Sequence, residues 1–343
     1  MSSPCSPPTQ ILMLDALDSR ASAREGDASG DALNPPERPP VSHGAVSIGN
    51  FDGVHAGHRE LLSRTRANAD AVGGPAVVVV LDPHPASVLR PHSAPTRLTT
   101  IERRAELMSE IGIDTLVVCP VSIEFLNRTA NDFFDYLIVE RLQAKAVVEG
   151  PNFFFGRDRG GDVHVLKDLC EQSGMRLEVV HPRIDDGRLI SSSRIREAIS
   201  AGQIEFANTM LQSNYRISGR VTTGERRGRQ IGFPTANLTD IQTLVPDNGV
   251  YAAKVTIGGS NAGLGDSDRE LRAAVHVGPN PTFDEKRRTK VEVHCLDYDG
   301  DLYDQDLTVE WIARIRPIEK FTDVDALKQQ LHRDVARVRA IIQ

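Results

Sequence analysis

Two short stretches carry residue types that could do chemistry. The first is GNFDGVHAGH, Gly49 to His58, with three glycines, one acid and two histidines in ten residues. The second is SGRVTTGERRGRQIGFPTANL, Ser218 to Leu238, with four arginines, several glycines and a polar PTAN. His55 and His58 are three apart, so one helical turn would bring them to one side. Two imidazoles could bind zinc, but HAGH is not HExxH and no nearby cysteine completes a set. They could be ordinary loop histidines, or donors to an anion at a helix start, where unpaired N–H groups and a partial positive charge gather. The glycines favour the anion site, because they let backbone approach a ligand closely. The arginine-rich stretch is either a solvated basic loop or a second phosphate cradle. It is not a Walker A sequence, since no GK[ST] follows.

The flanking elements decide between these readings. AVSIG before the first stretch predicts a short buried strand, and HRELLSRTRANADAV after it a helix starting near His58. PAVVVVLDP, DTLVVCPV, AKAVVEG and MRLEVVHP read as further strands. They alternate with the helical patterns TTIERRAELMSEIG, NDFFDYLIVERL and VHVLKDLCEQSG. Such β-α alternation predicts an α/β domain over 41–200, a parallel sheet with helices on both faces and ligands beyond the carboxyl ends of its strands. SSSRIREAISAG then reads as a capped helix. From 205 to 343 the punctuation changes. YRISGRV, GVYAAKVTI, LRAAVHVG, KVEVHCLD and LTVEWIARI predict a small antiparallel β-barrel or sandwich, closed by one C-terminal helix. The join is expected between about Ser200 and Tyr215. Residues 1–40 hold seven of the chain's 20 prolines and read as a mostly disordered extension, with one short ordered piece at Ile11–Leu17.

Composition narrows the class. The 343 residues are 40% hydrophobic and 25% charged, as in an ordinary globular protein of about two domains. A net charge of −7 argues against general nucleic-acid binding, which needs a basic surface. No run of apolar residues is long enough for a membrane span, and ILMLDAL lacks the basic flank of a signal peptide. The four cysteines form no CxxC pair, as expected of idle thiols in a reducing cytoplasm.

The first half resembles the HxGH nucleotidyltransferases. GNFDGVHAGH, DPHP at 82–85, GPNFFFGRDRGGD at 150–162 and ISSSRIR at 190–196 resemble, in order, the four motifs of prokaryotic bifunctional riboflavin kinase/FAD synthetases. The resemblance implies adenylyl transfer from ATP to the phosphate of FMN. It implies His55 and His58 as donors to the polyphosphate, and Ser192 and Arg196 as holders of the leaving phosphates. Gly49, Phe51, Asp52, Gly53, Asn152, Phe155, Gly156 and Arg159 would complete the ATP and FMN site. Asp52 would shape the loop or assist magnesium, and Phe153–Phe155 would wall a flat ring; core packing is the plain alternative for those rings. The chain departs from the family where Asn152 stands in place of a common Asp and Leu81 in place of a common aromatic.

The second half resembles riboflavin kinase. GFPTAN is the most specific mark, followed in order by PDNGVYA at 246–252, VGPNPTF at 277–283 and VEVHCLDYDGDLY at 291–303. The resemblance implies Thr235 and Asn237 as ligands of magnesium and ATP phosphates, and Glu292 as base for the riboflavin 5′-hydroxyl. Gly219, Arg220, Gly224, Arg227, Gly228 and Pro234 would line the ATP and flavin site. Alternation alone reads Glu292 as a solvent-facing strand residue, with Val291 and Val293 inward. His276 takes a position often held by Asn. The expected function is therefore riboflavin to FMN to FAD, with ATP, magnesium and flavins as the small-molecule partners, and a weak homo-oligomer left possible. The rivals are an adenylyltransferase with an altered acceptor and a flavin-binding regulator with reduced catalysis.

Overall fold

The structure, a computed structural model, describes residues 8–17, 41–181, 184–185, 187–223, 228, 231–258, 270–279 and 289–343. The chain divides into two compact units, one of residues 1–95 with 101–190, the other of 96–100 with 191–343.

In the first unit, six strands form one parallel sheet: β1 (Gln10–Met13), β2 (Ala45–Gly49), β3 (Ala76–Asp82), β4 (Thr115–Pro120), β5 (Ala146–Glu149) and β6 (Arg176–Val179). Their order is β1-β4-β3-β2-β5-β6. Strands covered on both faces need apolar side chains on both, which explains the unbroken β-branched runs. Val46, Ile48, Val77, Val79, Val117 and Val147 point into one core, with Phe133, Phe134 and Leu137. Val78, Val80, Leu116 and Val118 point into the other, against Leu62 and Ala69 of α1 (Ala56–Val72) and Leu107 and Met108 of α2 (Ile101–Ser109). The strand sequence runs outward from β2 in one direction through β4, then from β5 in the other. The reversal lies between β2 and β5, which is where such sheets bind ligands.

Two helical readings change in detail. The helix after the first motif begins at Ala56, two residues earlier than expected, because His55 is its N-cap. The NDFFDYLIVERL segment starts as an α-turn, Ala130–Phe133, capped by Thr129 and Asp132, and continues as a π-helical stretch, Phe134–Arg141. α3 (Val163–Gln172) is capped by Asp162 and packs Leu166 and Cys170 inward.

The second unit opens with α4 (Ser192–Ser200) and α5 (Ile204–Leu211). α5 was not expected; the interval read as a join carries buried Ile204, Ala207, Met210 and Leu211. Asn208 ties it to the barrel, donating to the Trp311 carbonyl and accepting from the Tyr215 amide, each at 2.9 Å. A closed antiparallel barrel follows: β7 (Tyr215–Thr222), β8 (Ala236–Thr239), β9 (Gly249–Ile257), β10 (Glu270–Pro279), β11 (Thr289–Cys295) and β12 (Asp306–Arg316), in the order β8-β11-β10-β9-β12-β7. β8 is the strand the sequence reading missed. It is four residues long, three of them from the PTANL segment, and it closes the barrel by pairing with both β7 and β11. Val275, Val277, Val291, Val293, Val309 and Trp311 fill the interior. α6 (Val324–Ile341) packs along the outside through Val338, and its buried Asp334 holds Arg316 of β12.

Candidate active sites in the two units

The loop from β2 to α1 is built tightly. Phe51, Gly53 and Val54 all have positive φ, 46°, 87° and 41°, and the Val54 amide donates to the Phe51 carbonyl at 3.1 Å. Two non-glycine residues in that region hold local strain, which functional loops commonly carry. Gly49 leaves room for the Phe51 ring; a Cβ there would meet the ring at 3.1 Å. Asp52 is buried and paired with Arg104 of α2 at 3.1 Å, while the same guanidinium donates to the Asn50 carbonyl at 2.9 Å. Arg104 thus clamps the loop from below. It belongs to an unremarkable amphipathic helix pattern, so nothing local in the sequence marks it.

The two histidines come together at the helix start. Their rings stack with centroids 3.6 Å apart and planes 18° from parallel. His55 Nδ1 accepts from the His58 amide at 3.4 Å, which leaves the proton of a neutral ring on Nε2. Phe51 meets His58 edge-on at 5.2 Å. Enclosure of the ring first, then His55 and the Arg104 guanidinium, push His58 well below the usual imidazole range. His58 is therefore neutral near pH 7 and acts as a hydrogen-bonding group rather than a standing cation. Its Nδ1 and the Asn50 Oδ1 are buried and have no hydrogen-bond partner among the described residues. Asn50, inside the quoted motif but not singled out from it, is one polar group the sequence reading missed.

Glu149, the last residue of β5, is another. The β2–β5 ladder ends at Val46 and Val147, and Glu149 Oε1 then takes the Ile48 amide at 2.6 Å. The carboxyl is 2% exposed, and burial pushes it well above the usual carboxylate range despite backbone donors from Ile48 and Gly150. It fastens together the ends of the two strands that carry the first and third motifs.

In the third motif, Asn152 is exposed on the loop after β5. Phe155, expected beside the ligand, is 5% exposed and lies in the core with Phe133 at 5.5 Å between ring centroids. Phe154 is the exposed ring, with the Arg159 guanidinium 4.1 Å above its centre. Gly156 has φ 72°, and a Cβ there would fall 2.6 Å from the Ala130 nitrogen, so only glycine fits. Ser192 and Arg196 belong to the second unit, on α4. The helix cap is Ser191, whose Oγ accepts from the Arg194 amide, while Arg196 Nε donates to the Thr96 carbonyl at 2.7 Å.

On the barrel, burial alternates along β11 as expected, and along β8 and β10 as well: Leu238, Val275, Val277, Val291 and Val293 inward, Asn237, His276 and Glu292 at the outer face. Cross-strand register puts these three in one row, Asn237 opposite Glu292 and Glu292 opposite His276. The solvent-facing reading of Glu292 is geometrically right, yet its neighbours are not arbitrary. Beside the row, His294 Nδ1 bonds the Pro234 carbonyl at 2.7 Å, and Phe233 packs between His294 and His332 at 5.4 and 5.1 Å. Gly228 accepts the Phe233 amide at 2.9 Å, and a Cβ there would strike the Phe233 carbonyl. Gly219 similarly admits the Thr239 carbonyl. Arg220 is exposed at the end of β7. A cleft of about 430 Å³ opens among Val221, Pro234, Thr235, Asn237, Tyr298 and Tyr303. Gly224 and Arg227 lie outside the described residues.

Fold and site together define the class: an HxGH-type nucleotidyltransferase unit followed by a barrel of the riboflavin kinase kind. The comparisons agree. The family model for FAD synthetase matches residues 39–194, and that for riboflavin kinase matches residues 211–342. A bifunctional riboflavin kinase/FMN adenylyltransferase of Pseudomonas fluorescens is 34% identical over 88% of this chain and 94% of its own length. Its counterpart in Escherichia coli K12 is 33% identical over 86% of this chain and 91% of its own length. A crystal structure described as a macrolide-efflux protein from Streptococcus pneumoniae superposes with a TM-score of 0.78 and 31% identity, covering 90% of this chain and 96% of that one. The chain belongs to the bifunctional riboflavin kinase/FMN adenylyltransferase family. Among its described residues, no helix is long and apolar enough to cross a membrane.

Proposed function

We propose that the two reactions run at the two sites described, with the following division of labour. In the first unit, an oxygen of the FMN phosphate attacks the α-phosphorus of ATP; a new P–O bond forms, the bond to the β-phosphate oxygen breaks, and pyrophosphate leaves. His55 and His58 hydrogen-bond the polyphosphate at the N-terminus of α1, where the helix dipole also favours negative charge. Because His58 is neutral beforehand, it carries no desolvated charge that binding must compensate. Asp52 and Arg104 hold the loop, Gly49 and Gly53 give it its shape, and Phe155 and Gly156 support the third loop from the core. Asn152, Phe154 and Arg159 are its exposed faces toward nucleotide and flavin, and Ser192 and Arg196 serve the leaving phosphates. Positioning and charge placement carry such a reaction.

In the barrel, the riboflavin 5′-hydroxyl attacks the γ-phosphorus of ATP, ADP leaves, and Glu292 takes the hydroxyl proton. Thr235 and Asn237 offer hydroxyl and amide oxygens, the hard neutral donors that suit a magnesium ion already carried by phosphates. Among the described residues no cluster of three His, Cys, Asp or Glu forms a metal cage, in keeping with an ion brought by ATP. Magnesium would neutralise phosphate charge there. Gly219, Arg220 and Gly228 line the ATP and flavin site, to which we also assign Gly224, Arg227 and Pro234. The net charge of −7 supports small-molecule partners without nucleic acid, and four cysteines with no CxxC pair suit a cytoplasmic location.

The stacked histidine pair at a helix start beside the β2–β5 reversal is the observation that carries the reading. Purified protein with riboflavin, ATP and magnesium should yield FMN and then FAD on chromatography. Glu292→Ala should abolish FMN formation and leave conversion of FMN to FAD intact. Loss of both activities in a folded variant would sink the two-site assignment.

A further inference from the structure

One polar atom on the outer row of the barrel has no hydrogen-bond partner among the described residues. His276 Nδ1 is buried and makes no hydrogen bond to any of them, so its desolvation is uncompensated there. Glu292 Oε2 lies 3.8 Å away, on the residue directly across the ladder. The ring has a close neighbour on one side. It lies over Gly278, where a Cβ would fall 2.6 Å from its Cε1, with the Ile318 side chain at the same spot. On the β9 side the opposing residue is Val250, which offers no polar group. The nearby cation, Arg316, is occupied by Asp334 of α6 through Nε at 3.0 Å and Nη2 at 2.8 Å. Burial pushes His276 below the usual imidazole range; Glu292 pulls it up and Arg316 pushes it down. A neutral imidazole has one N–H to give, and Glu292 is the acceptor within reach.

We propose that His276 is a positioning residue for phosphoryl transfer in the barrel: its Nδ1–H closes on Glu292 and fixes the carboxylate in the orientation that receives the riboflavin 5′-hydroxyl proton. The inference rests on Glu292 being the base, as assigned above. Shortening 3.8 Å to a hydrogen bond of about 2.8 Å needs about 1 Å of side-chain movement. As the 5′-oxygen bonds to the γ-phosphorus and the bond to ADP breaks, the hydroxyl proton passes to Glu292, and His276 keeps its own. An Asn side chain at 276 also presents an N–H, which makes His276→Asn the conservative variant.

The test separates orientation from binding. In His276→Val, kcat for riboflavin phosphorylation should fall roughly tenfold or more, while the riboflavin Kd from flavin fluorescence quenching stays within about twofold. His276→Asn should restore most of kcat. Gly278→Ala, which keeps both polar groups but crowds the ring, should lose kcat in the same way. Combined with Glu292→Gln, His276→Val should cost nothing further, because two residues acting through one interaction are not additive. Thermal melts of every variant report folding. An equal proportional loss with and without Glu292→Gln, or a loss confined to riboflavin Kd, would overturn the proposal. If Glu292→Gln alone keeps the parental kcat, it is the assignment of the base that fails, and the inference falls with it.

Discussion

At the scale of single residues, the first site combines a buried ion pair with an imidazole kept neutral. Asp52 and Arg104 are each nearly buried at the side chain, at 6% and 5% exposure, so each offsets the other's charge in the interior. That gives Asp52 a structural task in the middle of the motif. His58 has a different consequence, visible in the pH dependence of folding. Its folded-state pKa lies below the ordinary value of about 6.5. Below that pH the unfolded chain takes up a proton that the native site resists. Stability is then lost as pH falls from about 6.5 toward the depressed native value. The melting temperature should fall more between pH 7.5 and 5.5 in the parent than in His58→Gln. Parallel slopes would show that the site does not resist protonation. Glu149 shifts the other way, and the comparison at matched pH cancels its contribution.

At the scale of elements, the parallel strands were legible because a strand buried on both faces must be continuously apolar, as AVVVVL is. The start of α4 was legible from its serine cap, whereas α1, capped by His55, begins two residues before the expected start. What escaped were elements whose signal is short or whose partner is distant. β8 is four residues with Asn237 facing out, too brief for an alternation pattern, and only barrel closure makes it a strand. α5 sits where a join was expected, because its apolar residues were not read at helical spacing. In the sites, the histidines and glycines were legible from type and order. Arg104 and Glu149 were not, since each acts on backbone or side chain about 50 or 100 residues away in the chain. Gly156 tests how tightly one turn is specified. Gly156→Ala requires both a positive φ and a Cβ inside the Ala130 backbone. It should cost more than about 1 kcal/mol of stability, read as a lowered denaturation midpoint, and slow FMN adenylylation with it. An alanine variant as stable as the parent would mean that the turn relaxes freely.

At the scale of the molecule, the two family matches meet between 194 and 211, whereas the compact units part at 190. The difference is α4 and α5, which pack on one another and whose second member is bolted to Trp311 and Tyr215 of the barrel. We expect a fragment beginning at Ser191 to fold and phosphorylate riboflavin, and to melt well above one beginning at Gln212. A shorter fragment of equal stability would show that α5 contributes nothing to the barrel.

The strand at Gln10–Met13 carries none of the site residues, yet it pairs along the outer flank of β4. Without it, β4 would present a row of unpaired amides and carbonyls on a strongly apolar segment, TLVVCP. Such a row is a template for another chain. Trimming the leading residues to improve behaviour in solution would then do the reverse, leaving an enzyme prone to edge-to-edge aggregation.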